Sequence, residues 1–243
     1  RKSKAPASSA RCDDSTDGLP VIRITFESGY RSTASVRMSM PDDPGRASSA
    51  GIAALLGGAY RSKTLHLWAA YFMSFATLYF LLSWVVKLAI ESGLALENAI
   101  YAGVALNLGG FAGGISLGAI SNRFGLTRII AVFAVLGGVF SVIYGTADVG
   151  VTAVLVLVFL LMFFVQGAFT GLYAVGARIY PTEIRTTGIG WAIGAGRTGA
   201  IVGPIAAGLI LGAGVSIGWT FAVFAVPMLL AAVFVSRIRL GLR

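Results

Sequence analysis

The sequence predicts an all-α polytopic membrane protein built as a bundle of six spans. Three observations predict it. Apolar residues make up 56% of the 243, charged residues only 12%, and mean hydropathy is +0.83. A water-facing domain carries about 25% charged residues, so too few are present here to clothe a soluble exterior. The second observation is six long apolar runs, and the third is the way the basic residues alternate between their connections.

A helix needs about 20 apolar residues to cross about 30 Å of hydrocarbon. The runs that meet or approach this are 65–86, 98–120, 129–147, 151–176, 188–211 and 217–236. They are too long, and alternate too little, for barrel strands. If the segment before the first run lies inside, the inside connections carry Arg61, Lys63, Arg123, Arg128, Arg178, Arg185, Arg237, Arg239 and Arg243. The outside connections carry only Lys87. This asymmetry predicts that both ends of the bundle are cytoplasmic. Trp68 and Trp191 fall near inner ends of runs, and Trp84 and Trp219 near outer ends, where the indole N–H can stay wet.

Residues 1–50 differ in composition. They hold eight of the 19 Lys and Arg and six of the 10 Asp and Glu. This stretch reads as a largely disordered cytoplasmic linker, with 51–243 forming the membrane unit and 51–64 an amphipathic lead-in. Val21 to Phe26 has strand character, but the sequence shows nothing for it to pair with. The chain starts at Arg1 and reads as a fragment or truncated product. Cys12 is the single cysteine, which excludes an intrachain disulfide. The net charge of +9 does not point to nucleic acid, because the basic residues past position 60 are scattered between apolar runs. Neither a phosphate loop, nor a metal-ligand cluster, nor a nucleophile–base pair is visible. No enzyme activity, cofactor or metal is expected.

Within the spans, Gly110, Gly114 and Gly118 repeat every four residues, as do Gly199 and Gly203. Such stripes let helices approach to backbone contact, and packing is their first explanation; sliding between states is a second. Arg197 stands near the middle of the fifth run, about 13 Å beyond Gly188. A charge at that depth must face water, a partner or an anionic substrate. No acid lies within any run, so a substrate or coupling role and a structural pair with absent chain both remain open. Asn107 and Gln166 are neutral polar groups at depth, facing a cavity or bonding a neighbouring helix. Phe72, Phe75 and Tyr79 share a face of the first run, and Phe159, Phe163, Phe169 and Tyr173 lie along the fourth. These are core or lipid contacts first, and the lining of a cavity for a flat substrate second. His66 at the inner end of the first run is assigned no role.

Two inside connections carry a family resemblance. After the second run comes Gly118-Ala-Ile-Ser-Asn122-Arg123-Phe-Gly125-Leu-Thr-Arg128. It resembles the signature loop of the major facilitator superfamily in its second-half copy, with Asn122 where Asp is usual. After the fourth run, Tyr180-Pro-Thr-Glu183-Ile-Arg185 continues through Gly188, Trp191, Arg197, Gly199, Gly203 and Pro204. That stretch is similar to the aromatic acid:proton symporter family within the superfamily. The resemblance implies spans seven to twelve of a twelve-span secondary transporter whose N-terminal half is missing. It implies proton-coupled uptake of an aromatic carboxylate across a bacterial inner membrane, with a small organic anion, protons and lipid as partners. It places Arg197 near the substrate or the gate, and Glu183 and Arg185 in a cytoplasmic gate network. The alternatives are a half-size transporter of another solute acting as a dimer, and a non-transporting membrane assembly protein.

Overall fold

The computed structural model describes residues 10–13, 21–25, 33–37, 55–58, 60–91, 94–146 and 149–238. The chain divides into two units, Arg1–Ser48 and Ser49–Arg243.

The first unit holds three strands, β1 (Ala10–Asp13), β2 (Val21–Thr25) and β3 (Thr33–Arg37). They form an antiparallel meander in the order β1-β2-β3, with Asp13 opposite Val21 and Thr25 opposite Thr33. This corrects the sequence reading that nothing pairs with the Val21 to Phe26 stretch: Val21–Thr25 is the central strand, and Phe26 lies outside the described residues. The strand's partners escaped notice because each is only four or five residues long and neither is strongly apolar. The remainder of the expected disordered linker lies outside the described residues.

Among the described residues the second unit holds six long helices: α1 (Arg61–Glu91), α2 (Leu96–Phe124), α3 (Leu126–Thr146), α4 (Val151–Ile179), α5 (Thr182–Gly212) and α6 (Ile217–Arg237). All six are long and apolar enough to cross a membrane. Each expected span sits inside one helix, apart from residue 147, which lies outside the described residues. The helices overrun the spans at their ends. α1 begins at Arg61 and so absorbs the last part of the expected lead-in. α5 begins at Thr182, six residues before the expected start, because Pro181 occupies its N-cap and Glu183 its first turn. Proline tolerates that position and an acid there complements the helix dipole.

Packing follows glycine. The principal pairs are α2 with α4, α1 with α5, and α3 with α6. A Cβ at Gly199 or Gly203 would overlap the carbonyl oxygens of Phe72 and Ala76, so α5 lies backbone-to-backbone on α1. On α2 the close approach is made by Gly109 and Gly113 against the Phe159 and Phe163 carbonyls of α4. The expected stripe of Gly110 and Gly114 is thus corrected by one residue. Those two make looser contacts, with Gln166 at 3.3 Å and the Thr170 hydroxyl at 3.4 Å from an added Cβ, and Gly118 meets nothing within 4 Å. The sequence carries two glycine stripes on adjoining faces of one helix, and periodicity cannot rank them.

Rings fill the interior. Phe80 stacks on Phe224 at 3.9 Å, and Phe133, Phe140, Phe163 and Phe164 interlock between α3 and α4. Buried hydroxyls bond across helices to main-chain oxygens: Thr77 donates to the Phe224 carbonyl and Ser141 to that of Phe221. The exterior is as apolar as the interior. Phe111 on α2 and Leu209 on α5 are 72% and 71% exposed, surfaces that suit hydrocarbon or another helix face and not water.

Candidate functional site: a polar cleft between α1, α2 and α4

The looser glycine stripe has a consequence. Where Gly110 and Gly114 fail to fill space, a cleft of about 480 Å³ opens between α1, α2 and α4. Its walls are Leu82 of α1, Asn107, Gly110, Phe111, Gly114 and Ile115 of α2, and Met162, Gln166 and Thr170 of α4. Sequence reasoning named Asn107 and Gln166 separately, and the fold brings them to one cavity.

The cleft is polar without being charged. Asn107 donates one amide N–H to the Gly103 carbonyl of its own helix at 2.8 Å, which fixes the side chain and leaves its amide oxygen unspent. Among the described residues neither Gln166 nor Thr170 has a protein partner, so both keep their hydrogen-bonding capacity for whatever enters. Such a pocket, apolar in most of its wall with a few convergent polar groups, is the usual form of a small-molecule site. Thr170 was missed from sequence. Gln166, Thr170 and Tyr173 are spaced i, i+4, i+7, and that pattern would have placed all three on one open face of α4.

Toward the N-terminal end of α1, rings close around Tyr71. Its neighbours are Phe75 at 6.1 Å, Phe169 at 6.1 Å and Tyr173 at 5.6 Å between centroids, the last two edge-to-face. Tyr79 joins through Phe75 at 5.9 Å. Tyr71 is fully buried, and its hydroxyl has no hydrogen-bond partner among the described residues. One turn earlier the Trp68 indole N–H is buried and unpartnered as well, with its ring stacked on Trp191 of α5 at 6.3 Å. An unmade hydrogen bond of this kind costs about 1–3 kcal/mol. Trp84 behaves differently, donating to the Pro204 carbonyl at 3.2 Å while Lys87 covers its ring.

Arg197 is the middle residue of the 31 in α5, as its sequence position suggested. It is exposed, and among the described residues it makes no ion pair or hydrogen bond. It does not line the cleft. It shares the uncovered face of α5 with Gly194 and Ile201.

The signature loop turns between α2 and α3. Gly125 has φ of +90°, a left-handed conformation that a Cβ would strain, which explains glycine there. Asn122, Arg123 and Arg128 are exposed on this turn, and Arg123 lies over the Phe124 ring. At the α4–α5 junction Arg185 donates to the Tyr180 carbonyl at 3.4 Å, and Glu183 is exposed. The Tyr180 hydroxyl donates to Thr64 of α1 at 3.0 Å, and Thr64 donates to the Leu55 carbonyl at 3.0 Å. This buried relay ties the segment before α1 to the α4–α5 turn. Burial pushes the Tyr180 phenol above its ordinary pKa, with the Thr64 hydroxyl pulling the other way, so it stays protonated at neutral pH. Thr64→Val should strand the Tyr180 hydroxyl and the Leu55 carbonyl together. A loss of about 1–3 kcal/mol is expected, read as a lower melting temperature in detergent.

Comparison with known proteins places the fold in a family. A sequence profile of the Major Facilitator Superfamily matches residues 67–241. The 4-hydroxybenzoate transporter PcaK of Pseudomonas putida is 33% identical over 183 residues, which is 75% of this chain and 40% of that protein. PcaK of Pseudomonas aeruginosa is 36% identical over 169 residues, 70% of this chain and 37% of that one. The gallate transporter of Pseudomonas putida is 33% identical over 207 residues, 85% and 44% respectively. The chain therefore spans less than half the length of these relatives. Among solved structures, the peptide transporter POT in complex with sulfate superposes with a TM-score of 0.62 at 20% identity. That match covers 74% of this chain and 38% of the other, and it is a likeness of fold alone. With six membrane-crossing helices, and with the profile matched from the first of them to beyond the last, the chain belongs to the major facilitator superfamily.

Proposed function

We propose that this chain is the C-terminal, six-span half of a proton-coupled importer of an aromatic carboxylate, lying in a bacterial inner membrane with both ends of the bundle cytoplasmic. The observation that carries the reading is the uncharged polar cleft, set in a chain similar to proteins named for 4-hydroxybenzoate, gallate and benzoate. A monocyclic ring fits its volume, and Asn107, Gln166 and Thr170 offer hydrogen bonds to a substrate passing through it. Arg197, outside the cleft on the uncovered face of α5, supplies the countercharge for the carboxylate. Exposed apolar faces of α2 and α5 await the N-terminal half. Arg123, Arg128, Glu183 and Arg185 belong to a cytoplasmic gate whose ion pairs form with that half in one state and break in the other. Gly199 and Gly203 remain packing residues.

Among the described residues the only acids in the helices are Glu91, Glu97 and Glu183, all near helix ends. The group that carries the proton therefore belongs to the other half. Uptake of labelled 4-hydroxybenzoate by cells making the full-length transporter tests the reading at pH 6 and pH 8. Uptake that rises at the lower pH supports it. Absence of uptake by well-expressed protein would sink the substrate class, and uptake indifferent to pH would sink proton coupling. Asn107→Ala and Gln166→Ala should each raise KM by about tenfold, the worth of one lost hydrogen bond.

A further inference from the structure

We infer that the Tyr71 hydroxyl is a specificity-determining donor that reads a ring hydroxyl on the substrate, and that Tyr173 covers it in the state seen here. The inference rests on the aromatic-acid reading above and names a residue for it.

The cage around Tyr71 is built from rings in edge-to-face contact, an arrangement that accepts one more aromatic ring without loss. Among the described residues the Tyr71 hydroxyl at its centre has no hydrogen-bond partner. Were the cage merely structural core, phenylalanine would fill it at lower cost. Of the rings touching Tyr71, Phe75 and Phe169 are buried, while Tyr173 is 39% exposed. Tyr173 is therefore the wall with room to swing away. It also lies on the face of α4 that carries Gln166 and Thr170 into the cleft, about one turn beyond Thr170.

Arg197 is placed to hold the other end of such a molecule. An added Cβ at Gly196 would meet the Phe75 ring at 2.6 Å and Tyr71 at 2.9 Å, which puts the neighbouring Arg197 at the depth of the cage. α4 and α5 touch where Gly176 faces Ile189, at 3.1 Å from an added Cβ. Tyr173 lies about 60° round α4 from Gly176, and Arg197 about 80° round α5 from Ile189. The two helices are antiparallel, so these rotations carry both side chains to the same side of the contact. Tyr173 and Arg197 thus face one side of the α4–α5 contact, with the buried Tyr71 ring packed against Tyr173. An aromatic acid with a hydroxyl across the ring from its carboxylate has matching ends.

Competition uptake with the full-length transporter tests this, using labelled 4-hydroxybenzoate against unlabelled benzoate in wild type and Tyr71→Phe. The variant keeps the ring and removes an unpartnered hydroxyl, so its folding and melting temperature should be unchanged or improved. The expected result is a fall of about tenfold in preference for 4-hydroxybenzoate over benzoate, with benzoate uptake itself retained. An unchanged preference overturns the inference while leaving the aromatic-acid reading in place. Equal loss of both substrates also overturns it, since the hydroxyl would then serve the carboxylate or the fold. Failure of wild type to take up either acid overturns both.

Discussion

Gly203→Leu is expected to destabilise the bundle strongly: protein extracted from membranes should elute partly as aggregate on size exclusion, and the remainder should melt at a lower temperature. Even the Cβ of an alanine at this position would overlap the Ala76 carbonyl, and the atom in the way is main chain, which cannot rotate aside. One turn earlier Gly199 makes the same contact with Phe72. The two together set the distance between α1 and α5 along the whole pair. Pushing the axes apart would loosen the Trp84 bond to Pro204 and the contacts that seat Gly196 on Phe75. Helices in hydrocarbon have no hydrophobic effect to drive them together, so close packing is the main attraction being lost. Overpacking typically costs 1–3 kcal/mol, sometimes more, against a total stability of about 5–15 kcal/mol. Leucine adds three carbons beyond that first clash. Gly194→Ala in the same helix is the control, because an added Cβ there meets nothing within 4 Å. It should be neutral or stabilising by about 0.5–1 kcal/mol, since alanine loses less entropy than glycine in a helix. If both variants behave alike, helix propensity and not close packing governs this contact.

The bundle was legible because lipid imposes a simple rule on sequence. A spanning helix must be long and apolar, and six runs met that rule in the right places. Helix ends were less legible, since Arg61 to Thr64 and Thr182 to Thr187 are polar enough to resemble loop while still forming helical turns. Asn107 and Gln166 could be singled out for their depth, yet their convergence depends on the α2–α4 register, which the glycines fix only in three dimensions. Gly109 and Gly110 differ by one residue and have opposite roles, one closing the helices together and one holding the cleft open. Tyr71 was hidden for another reason. Its signal is a missing partner, and a missing hydrogen bond leaves no mark on sequence. The two strands that flank Val21–Thr25 in the first unit were invisible because pairing, more than composition, makes them strands.

Arg197→Ala should reduce aromatic-acid uptake by the full-length transporter by at least about a hundredfold while leaving the protein folded. Loss of uptake with an unmoved melting temperature is the expected pair of results. The second follows from the side chain's surroundings: it is exposed, and among the described residues it binds nothing whose loss the fold would feel. The first follows from its position. A guanidinium at the middle of a membrane helix is expensive unless it faces water or an anion, and alanine would remove that expense without replacing the function. If Arg197 instead paired with an acid of the N-terminal half for structural reasons, alanine would strand that acid. Stability would then fall together with transport, and the melting temperature would separate the cases. Arg197→Lys refines the distinction. Lysine keeps the charge but loses the planar fork that grips a carboxylate, so partial uptake with a raised KM is expected. A guanidinium does not titrate near neutrality, so the lysine variant should keep the wild-type preference for pH 6 over pH 8. Were that preference lost along with affinity, the coupling proton would have to pass through Arg197's own partner, and the carboxylate would need a different countercharge.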